Sequence, residues 1–456
     1  MTDTLTPATP DTAPPRAATP CDEIASSIIA SGLADMPVTD LVEVTMKQIV
    51  AAGVPLHRLL VGFRVLHPLF DGMTIAWSEE GGVEVEYFQA LDESNPEFTL
   101  SPFYWMIVEE RTELRLRLKD AADAAMVDKF PLLHRLRDEG FAEYLSCVVS
   151  FGEGPMRVDS SDGLGVSWAT KAPEGFTGAH LTVMRQILAP LSLALRVVIK
   201  DQITKNTLNA FHGPLVGERI LSGTIKRGDG ERLAAALWYS DLRNSTALAD
   251  ALSVKGFLEL LNVYFDCAAG AVMEEGGQVL DIVGDAILAF FPADDGNEEA
   301  ACAAALRAAS KAQEERLAAA KAKACPCAAE ITFGVGVHFG DVVFGNAGTR
   351  QRLKFGVIGR AVNEVARTQD MSKLLGQPIV ATDDVVRRVS RSRSEAVAQT
   401  SERSSSEAVA QTQTSPGLGF RLHDLGPHEL RGVPAPKRLW ALAAGELAVR
   451  WASGTR

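Results

Sequence analysis

The chain is poor in the features that mark secreted, membrane-spanning or nucleic-acid-binding proteins. Of its 456 residues only six are cysteine, at 21, 147, 267, 302, 325 and 327. Scattered over this length they form no disulfide framework, and a reducing cytoplasm is the simplest compartment for them. Cys325-Pro326-Cys327 has no second Cys or His pair near it, so it reads as loop thiols and not as a metal site. The eight histidines show no HExxH or comparable ligand spacing. No run of 18 uncharged apolar residues occurs; the nearest, 181–199, is broken by Arg185, Pro190 and Arg196, which predicts no membrane span. Met1 to Pro20 is rich in Thr, Pro and Ala without an apolar segment, so it does not read as a secretory signal. Positive charge is also scarce: 45 Lys and Arg face 58 Asp and Glu, a formal net charge of −13. Such a balance argues against sequence-independent binding to nucleic acid or anionic lipid. Any phosphate the chain handles needs a local device, such as bound metal ions. A P-loop is excluded, because GxxxxGK[ST] does not occur.

What is present is a globular composition, 46% hydrophobic and 23% charged. Residues 1–20 read as a disordered tail. From Cys21 to about Ala52 apolar residues recur at helical spacing, through Ile24, Ile28, Leu33, Leu41 and Ile49. Leu59–Phe70, Gly72–Trp77, Val83–Phe88, Ala142–Phe151 and Leu164–Ala169 alternate or run apolar between turn residues, as strands do. Pro173-Glu-Gly-Phe-Thr-Gly178 opens a helical pattern through Leu181, Met184, Leu188, Leu191, Leu195 and Val198 that can reach Phe211. Residues 21–205 therefore read as an α+β domain with a long exit helix. Its closing stretch, GLGVSWATKAPEGFTGAHLTVMRQILAPLSLAL, resembles the last strand and helix of a GAF-type sensor domain, and a PAS-like sensor fits nearly as well. That resemblance implies an unidentified small-molecule or protein signal. A dimerisation domain without ligand is the alternative. The glycine-punctuated, charged stretch 206–232 reads as a connector.

A second domain is expected over 233–445. Ala234–Leu242 is an apolar strand and Val254–Glu274 an amphipathic helix. Gln278–Phe291 is a hairpin around Val283-Gly284-Asp285, and Asn297–Ala324 is Ala-rich and helical. Ile331–Phe344 is apolar and glycine-rich, Ala361–Leu375 helical, Ile379–Ala381 a strand, and Leu425–Leu442 supplies the last strands. Within 390–415 the run Ser-Glu-Ala-Val-Ala-Gln-Thr occurs twice, at 394–400 and 406–412, and reads as a low-complexity surface insertion. Asp241 and Asp285 each sit at the end of an apolar run. Two carboxylates from neighbouring strands can hold a pair of hard cations that bridge phosphate oxygens, although either alone is more often a turn residue.

Five stretches in order resemble the catalytic domain of class III nucleotidyl cyclases: WYSDLRNST, EEGGQVLDIVGDAILAFF, GVGVHFGDVVFGNAG, FGVIGRAVNEVARTQDM and HELRGVPAPKRLWAL. The resemblance implies a ferredoxin-like βαββαβ core. It also implies conversion of a nucleoside triphosphate to its 3′,5′-cyclic monophosphate plus pyrophosphate. Asp241, Asp285 and the Leu242 carbonyl would bind two Mg²⁺ or Mn²⁺ ions, and Thr246 would hold the triphosphate, with Arg431 and Lys437 as weaker candidates. Asn363 and Arg367, one helical turn apart and hence on one face, would act at the ribose and at the α-phosphoryl group. The family draws the aspartates and the Asn/Arg pair of one site from opposite subunits, so a homodimer with shared sites is expected.

Two positions govern the base. The family's adenylyl cyclases carry Lys four residues before the second metal aspartate, and Asp or Thr just before the xxGxxVN block. Here those places hold Asp281 and Gly356. Guanine offers N1–H and an N2 amine that one carboxylate accepts as a fork, whereas adenine N1 is an acceptor and wants a donor. GTP is therefore expected over ATP; an adenylate cyclase and a degenerate nucleotide-binding module are the alternatives. Asn244-Ser245 before Thr246 also departs from the family's usual Gly-Phe, which leaves one wall of the nucleotide pocket without its aromatic.

Overall fold

A computed structural model describes residues 19–442, apart from 66, 68, 90–94, 159–161, 225, 294–295, 323–329, 399–411 and 415–420. The expected tail, the Cys325/Cys327 pair and most of the duplicated stretch lie outside the described residues. The chain divides into two compact units between Thr207 and Leu208.

The first unit is built on a six-stranded antiparallel sheet: β1 (Arg58–Arg64), β2 (Gly72–Ser78), β3 (Gly82–Phe88), β4 (Glu113–Arg117), β5 (Glu143–Ser150) and β6 (Gly163–Thr170), in the order β3-β2-β1-β6-β5-β4. Alternation decides which side chain faces which layer. Leu59, Val61 and Phe63 of β1 point with Ile75, Trp77, Val166 and Trp168 into a core closed by the helices Pro20–Leu33, Val38–Ala51 and Gly178–His212. The first of these helices starts on a capping box between Thr19 and Asp22. The opposite face is covered toward β4 and β5, where Phe130, Leu133 and Leu136 pack on Leu116, Tyr144 and Ala169, and over β1 and β6 by Phe103 of the helix Pro102–Val108. Strand β4 and the helices between Pro96 and Asp138 have no counterpart in the sequence reading. The entrance to the long helix is pinned by Glu143, whose buried carboxylate accepts from the Phe176 amide at 2.8 Å and pairs with Arg115 and Arg117. Gly175, at φ +69°, lies so close to that carboxylate that a Cβ would fall 1.8 Å from it.

The second unit carries β7 (Gly230–Leu242), β8 (Gln278–Val283), β9 (Ala286–Ala293), β10 (Phe333–Gly348), β11 (Leu353–Ile358), β12 (Ile379–Thr382), β13 (Thr412–Thr414), β14 (Arg421–His428) and β15 (Lys437–Leu442). The strands run β13-β14-β15-β12-β10-β7-β9-β8, with β11 hydrogen-bonded to β10. Helices Val254–Glu274 and Glu298–Lys311 connect β7 to β8 and β9 to β10, so the first four strands form a βαββαβ unit ordered β10-β7-β9-β8. That is the ferredoxin-like core expected. The helix Arg360–Leu374 packs on β10, where a Cβ on Gly336 would meet the Gln369 backbone at 2.5 Å. The helix Asp383–Ala398 continues through Ser394–Ala398, so the first copy of the duplicated run begins as helix and not as a loop.

Two helices, Gly178–His212 and Val254–Glu274, are long and apolar enough to cross a membrane by length and composition, contrary to the reading of 181–199 as too interrupted. Each places its buried residues in the core of a unit.

Candidate active site

Strand β7 is buried through Ala235–Trp238 and surfaces at Asp241. Its neighbours fix what meets that carboxylate: Asp241 pairs with Gly334 of β10 on one side and Ala286 of β9 on the other. Asp285, one residue before Ala286, occupies the β8–β9 turn, which Gly284 allows by taking φ +64°. The Leu242 amide faces the Asp285 carbonyl at 3.4 Å. The two carboxyls are thus brought side by side. Burial, and then the adjacent Asp285 carboxylate, push the Asp241 carboxyl up to about 6. Burial raises the Tyr239 phenol as well, helped by Asp241, Asp370, Asp285 and Asp281 around it.

Two partly buried carboxylates held side by side form a donor set suited to a hard divalent ion, so the residues present fit the metal the resemblance implies. Among the described residues no group of three or more His, Cys, Asp or Glu side chains is placed to hold a metal. The set therefore consists of Asp241 and Asp285, with the Leu242 carbonyl beside them. After Leu242 the chain turns through Arg243, whose guanidinium donates to the Ser372 and Gln377 carbonyls at 3.2 and 3.0 Å. Asn244 then takes φ +60°, and the short helix Ser245–Ala251 leaves Thr246 exposed.

Asn363 and Arg367 lie on the outer face of the helix Arg360–Leu374, while Glu364, Val365, Thr368 and Gln369 are buried beneath. Within one chain neither residue hydrogen-bonds to Asp241 or Asp285; Arg367 instead pairs with Asp370 at 2.8 Å. Arg431 is exposed and has no ion pair among the described residues. Lys437 is different: its ammonium lies 3.1 Å from both Glu364 and Asp384 and is committed to an internal network. Its partner Glu364 also accepts from His338 Nε2 at 3.2 Å and from Arg360. Those bonds, His338's first, hold its carboxyl down at about 2.

The base-reading positions meet at a β8–β11 seam. Asp281 is three-quarters buried and forms an ion pair with Lys354. Gly356 stands two residues further along β11, with open space where a Cβ would be. Nothing in the sequence reading singles out Lys354. The available signal is its offset of two from Gly356, which puts both on one strand face.

Residues 232–432 match the family model of the adenylate and guanylate cyclase catalytic domain. An adenylate cyclase of Anabaena cylindrica is 31% identical over 218 residues, which cover 47% of this chain and 42% of that protein. The chain spans less than half the length of such curated relatives. Among solved structures, the adenylyl cyclase CyaB from P. aeruginosa aligns at 18% identity over 48% of this chain and 97% of that one, with a TM-score of 0.36. The guanylyl cyclase Cya2 aligns at 22% identity over 48% and 95%, with a TM-score of 0.34. The match to the adenylate and guanylate cyclase catalytic domain thus lies within the second unit.

Proposed function

We propose that the chain is a nucleotidyl cyclase acting on GTP, with cyclic GMP and pyrophosphate as products, and that it works as a homodimer. The observation that carries this reading is the Asp241/Asp285 pair, held at the ends of adjacent strands in a domain of the cyclase family. The exposed Asn363/Arg367 pair lies on a different element of the same domain. The Asp241 and Asp285 carboxylates and the Leu242 carbonyl would hold the divalent ions, Mg²⁺ or Mn²⁺. When bound, such ions neutralise triphosphate charge and acidify a hydroxyl.

The remaining work falls to side chains of this chain. Cyclisation forms a bond from the ribose 3′-oxygen to the α-phosphorus as the bond to pyrophosphate breaks in line. Arg367, a planar and permanently charged donor, serves the oxygens that gain charge at the α-phosphorus. Its present bond to exposed Asp370 is worth well under about 1 kcal/mol and is readily exchanged for substrate. Asn363 orients the ribose without adding charge, Arg431 meets the terminal phosphates, and Thr246, exposed five residues after Asp241, bonds a phosphate oxygen. Asn363 and Arg367 make no hydrogen bond to the aspartates of their own chain, and in this reading a second copy supplies them. Exposed Ile282, Val283, Val343, Leu353 and Ile358 on β8, β10 and β11 offer an apolar surface for that copy.

The Asp281–Lys354 pair supports GTP. Guanine's edge reads donor, donor, acceptor through N2–H, N1–H and O6. The two Asp281 oxygens and the Lys354 ammonium read acceptor, acceptor, donor, and so use all three atoms. Lys354 thereby supplies the O6 donor that Gly356 lacks. Adenine's N6 amine and N1 would satisfy one oxygen and the ammonium only. ATP remains the second reading because the Anabaena relative is named an adenylate cyclase. We place a GAF-like sensor in residues 21–205 as part of the same proposal. The test is incubation of the purified full chain with GTP or ATP and Mg²⁺ or Mn²⁺, with the product identified by chromatography. Cyclic GMP as the main product is expected. No cyclic product from either nucleotide would overturn the cyclase reading, and a preference for ATP would overturn the base assignment.

A further inference from the structure

On the outer face of the first sheet, over β1, β2 and β6, lies a cavity of about 550 Å³, within the range that takes a small organic molecule. Its walls are mostly apolar and include Leu60, Met73, Phe103, Leu132 and Val158. Phe103 lies so close over Gly165 that a Cβ there would come within 2.6 Å of the ring. Small residues on the strands are what leave room for the ring and for the space beside it.

Two arginines without a side-chain partner among the described residues line this space, Arg58 half-buried and Arg135 exposed. Arg58, the first residue of β1, points away from the helix-covered core because Leu59 points into it. Among the described residues it makes no hydrogen bond or ion pair; burial draws its guanidinium below the ordinary range, Tyr144 and Glu139 nearby oppose that, and neighbouring Arg135 adds to it. Arg135, on the helix Pro131–Asp138, lines the same cavity and likewise has no side-chain partner among the described residues. Arg64, the third guanidinium, is already engaged, donating to the Val158 carbonyl at 2.6 Å with Asp71 at 3.8 Å. Strand register puts the buried Tyr144, Ser146 and Ser167 hydroxyls on the face that carries Arg58, and none has a well-formed hydrogen bond. A partly buried guanidinium left with unmatched donors is unfavourable, and an acceptor from outside the chain removes that cost. Glu86 of the edge strand β3 and Glu97 also line the cavity and oppose a second negative group.

We propose that this cavity is a binding site for an organic carboxylate with an apolar body and a single anionic head, the carboxylate being gripped by Arg58 and Arg135. The guanidinium fork matches a carboxylate in plane and spacing, and the apolar walls take the rest of the molecule. The site lies wholly in the first unit and does not depend on the cyclase reading.

The experiment titrates the full-length chain by calorimetry with octanoate, decanoate, phenylbutyrate and naphthoate, each against its primary amide. At least one carboxylate is expected to bind saturably, with its amide weaker by about tenfold or more and Arg58→Gln weakening the carboxylate by a similar factor, as loss of a charge-assisted hydrogen bond implies. No binding across the series, equal binding of the amides, or unchanged affinity in Arg58→Gln would overturn the proposal. A second variant separates ligand binding from structure. Arg58→Met without ligand is expected to melt at or above the wild-type temperature, because it removes an unmatched charge; a clear drop in Tm would assign Arg58 to the fold and overturn the site.

Discussion

Asp285 owes its position to one glycine and one register. Gly284 turns the chain at φ +64° and sets the carboxylate next to Asp241. Replacing either aspartate by Asn keeps the shape and removes a charge from the ion-binding pair. Asp241→Asn and Asp285→Asn are each expected to lower cyclic nucleotide formation by about 100-fold or more and to abolish Mn²⁺ binding measured by calorimetry; retention of both would remove them from the mechanism. At the β8–β11 seam, Lys354→Met deletes the donor proposed for guanine O6. Its kcat/KM for GTP is expected to fall about tenfold with a much smaller change for ATP. Asp281→Lys is expected to move the product from cyclic GMP toward cyclic AMP, read by chromatography of mixed-substrate reactions. If Lys354→Met leaves the nucleotide preference intact while the wild type still cyclises GTP, the seam does not read the base.

At the scale of elements, the helix Arg360–Leu374 carries Asn363 and Arg367 outward only because its inner face is seated on β10. Gly336 gives that seat its closeness. Gly336→Ala is expected to cost about 1–3 kcal/mol in chemical denaturation and to lower activity by moving the Asn/Arg face. The same helix is tied to β10, β15 and the Asp383–Ala398 helix through Glu364, His338, Lys437 and Asp384. With its carboxyl held at about 2 in the folded chain against an ordinary 4.5, Glu364 contributes stability that is complete above the unfolded value. That stability is lost as pH falls from about 4.5 through about 2. Glu364→Gln is expected to cost about 3 kcal/mol near neutral pH and to flatten the acid limb of a plot of stability against pH. An unchanged acid limb would show that the network contributes nothing there.

At the scale of the whole molecule, neither Asn363 nor Arg367 hydrogen-bonds to Asp241 or Asp285 within one chain, and the proposed shared-site homodimer is testable without a structure of it. Asp241→Asn and Arg367→Ala proteins are each expected to be inactive alone. Mixed in equal amounts and allowed to exchange subunits, half of the dimers are hybrids with one intact site of two, so about a quarter of wild-type activity should return. No recovery after verified exchange would mean that each chain builds its own site.

How much of this was legible beforehand follows from the range over which each feature is determined. Alternation and helical spacing are local, so β1, β2, β3, β5 and β6 and the helix Val254–Glu274 could be read directly, and five ordered motifs carried the cyclase domain with Asp241, Asp285, Asn363 and Arg367. Strand β4 and the helices between Pro96 and Asp138 were not legible, because they are short and set by packing on Tyr144 and its neighbours rather than by their own periodicity. Lys354 could not be recognised because its partner Asp281 lies 73 residues away, and only the β8–β11 seam makes them neighbours. Lys437 reads as a phosphate ligand by its motif, and the fold sets Glu364 and Asp384 beside it. The unpartnered Arg58 likewise shows its state only once the strands are paired. The sequence alone determined which chemistry the chain carries, since residue types and local spacing encode it. Tertiary structure decided which of those charges are spent on one another and which remain for a ligand, because that depends on neighbours distant in the chain.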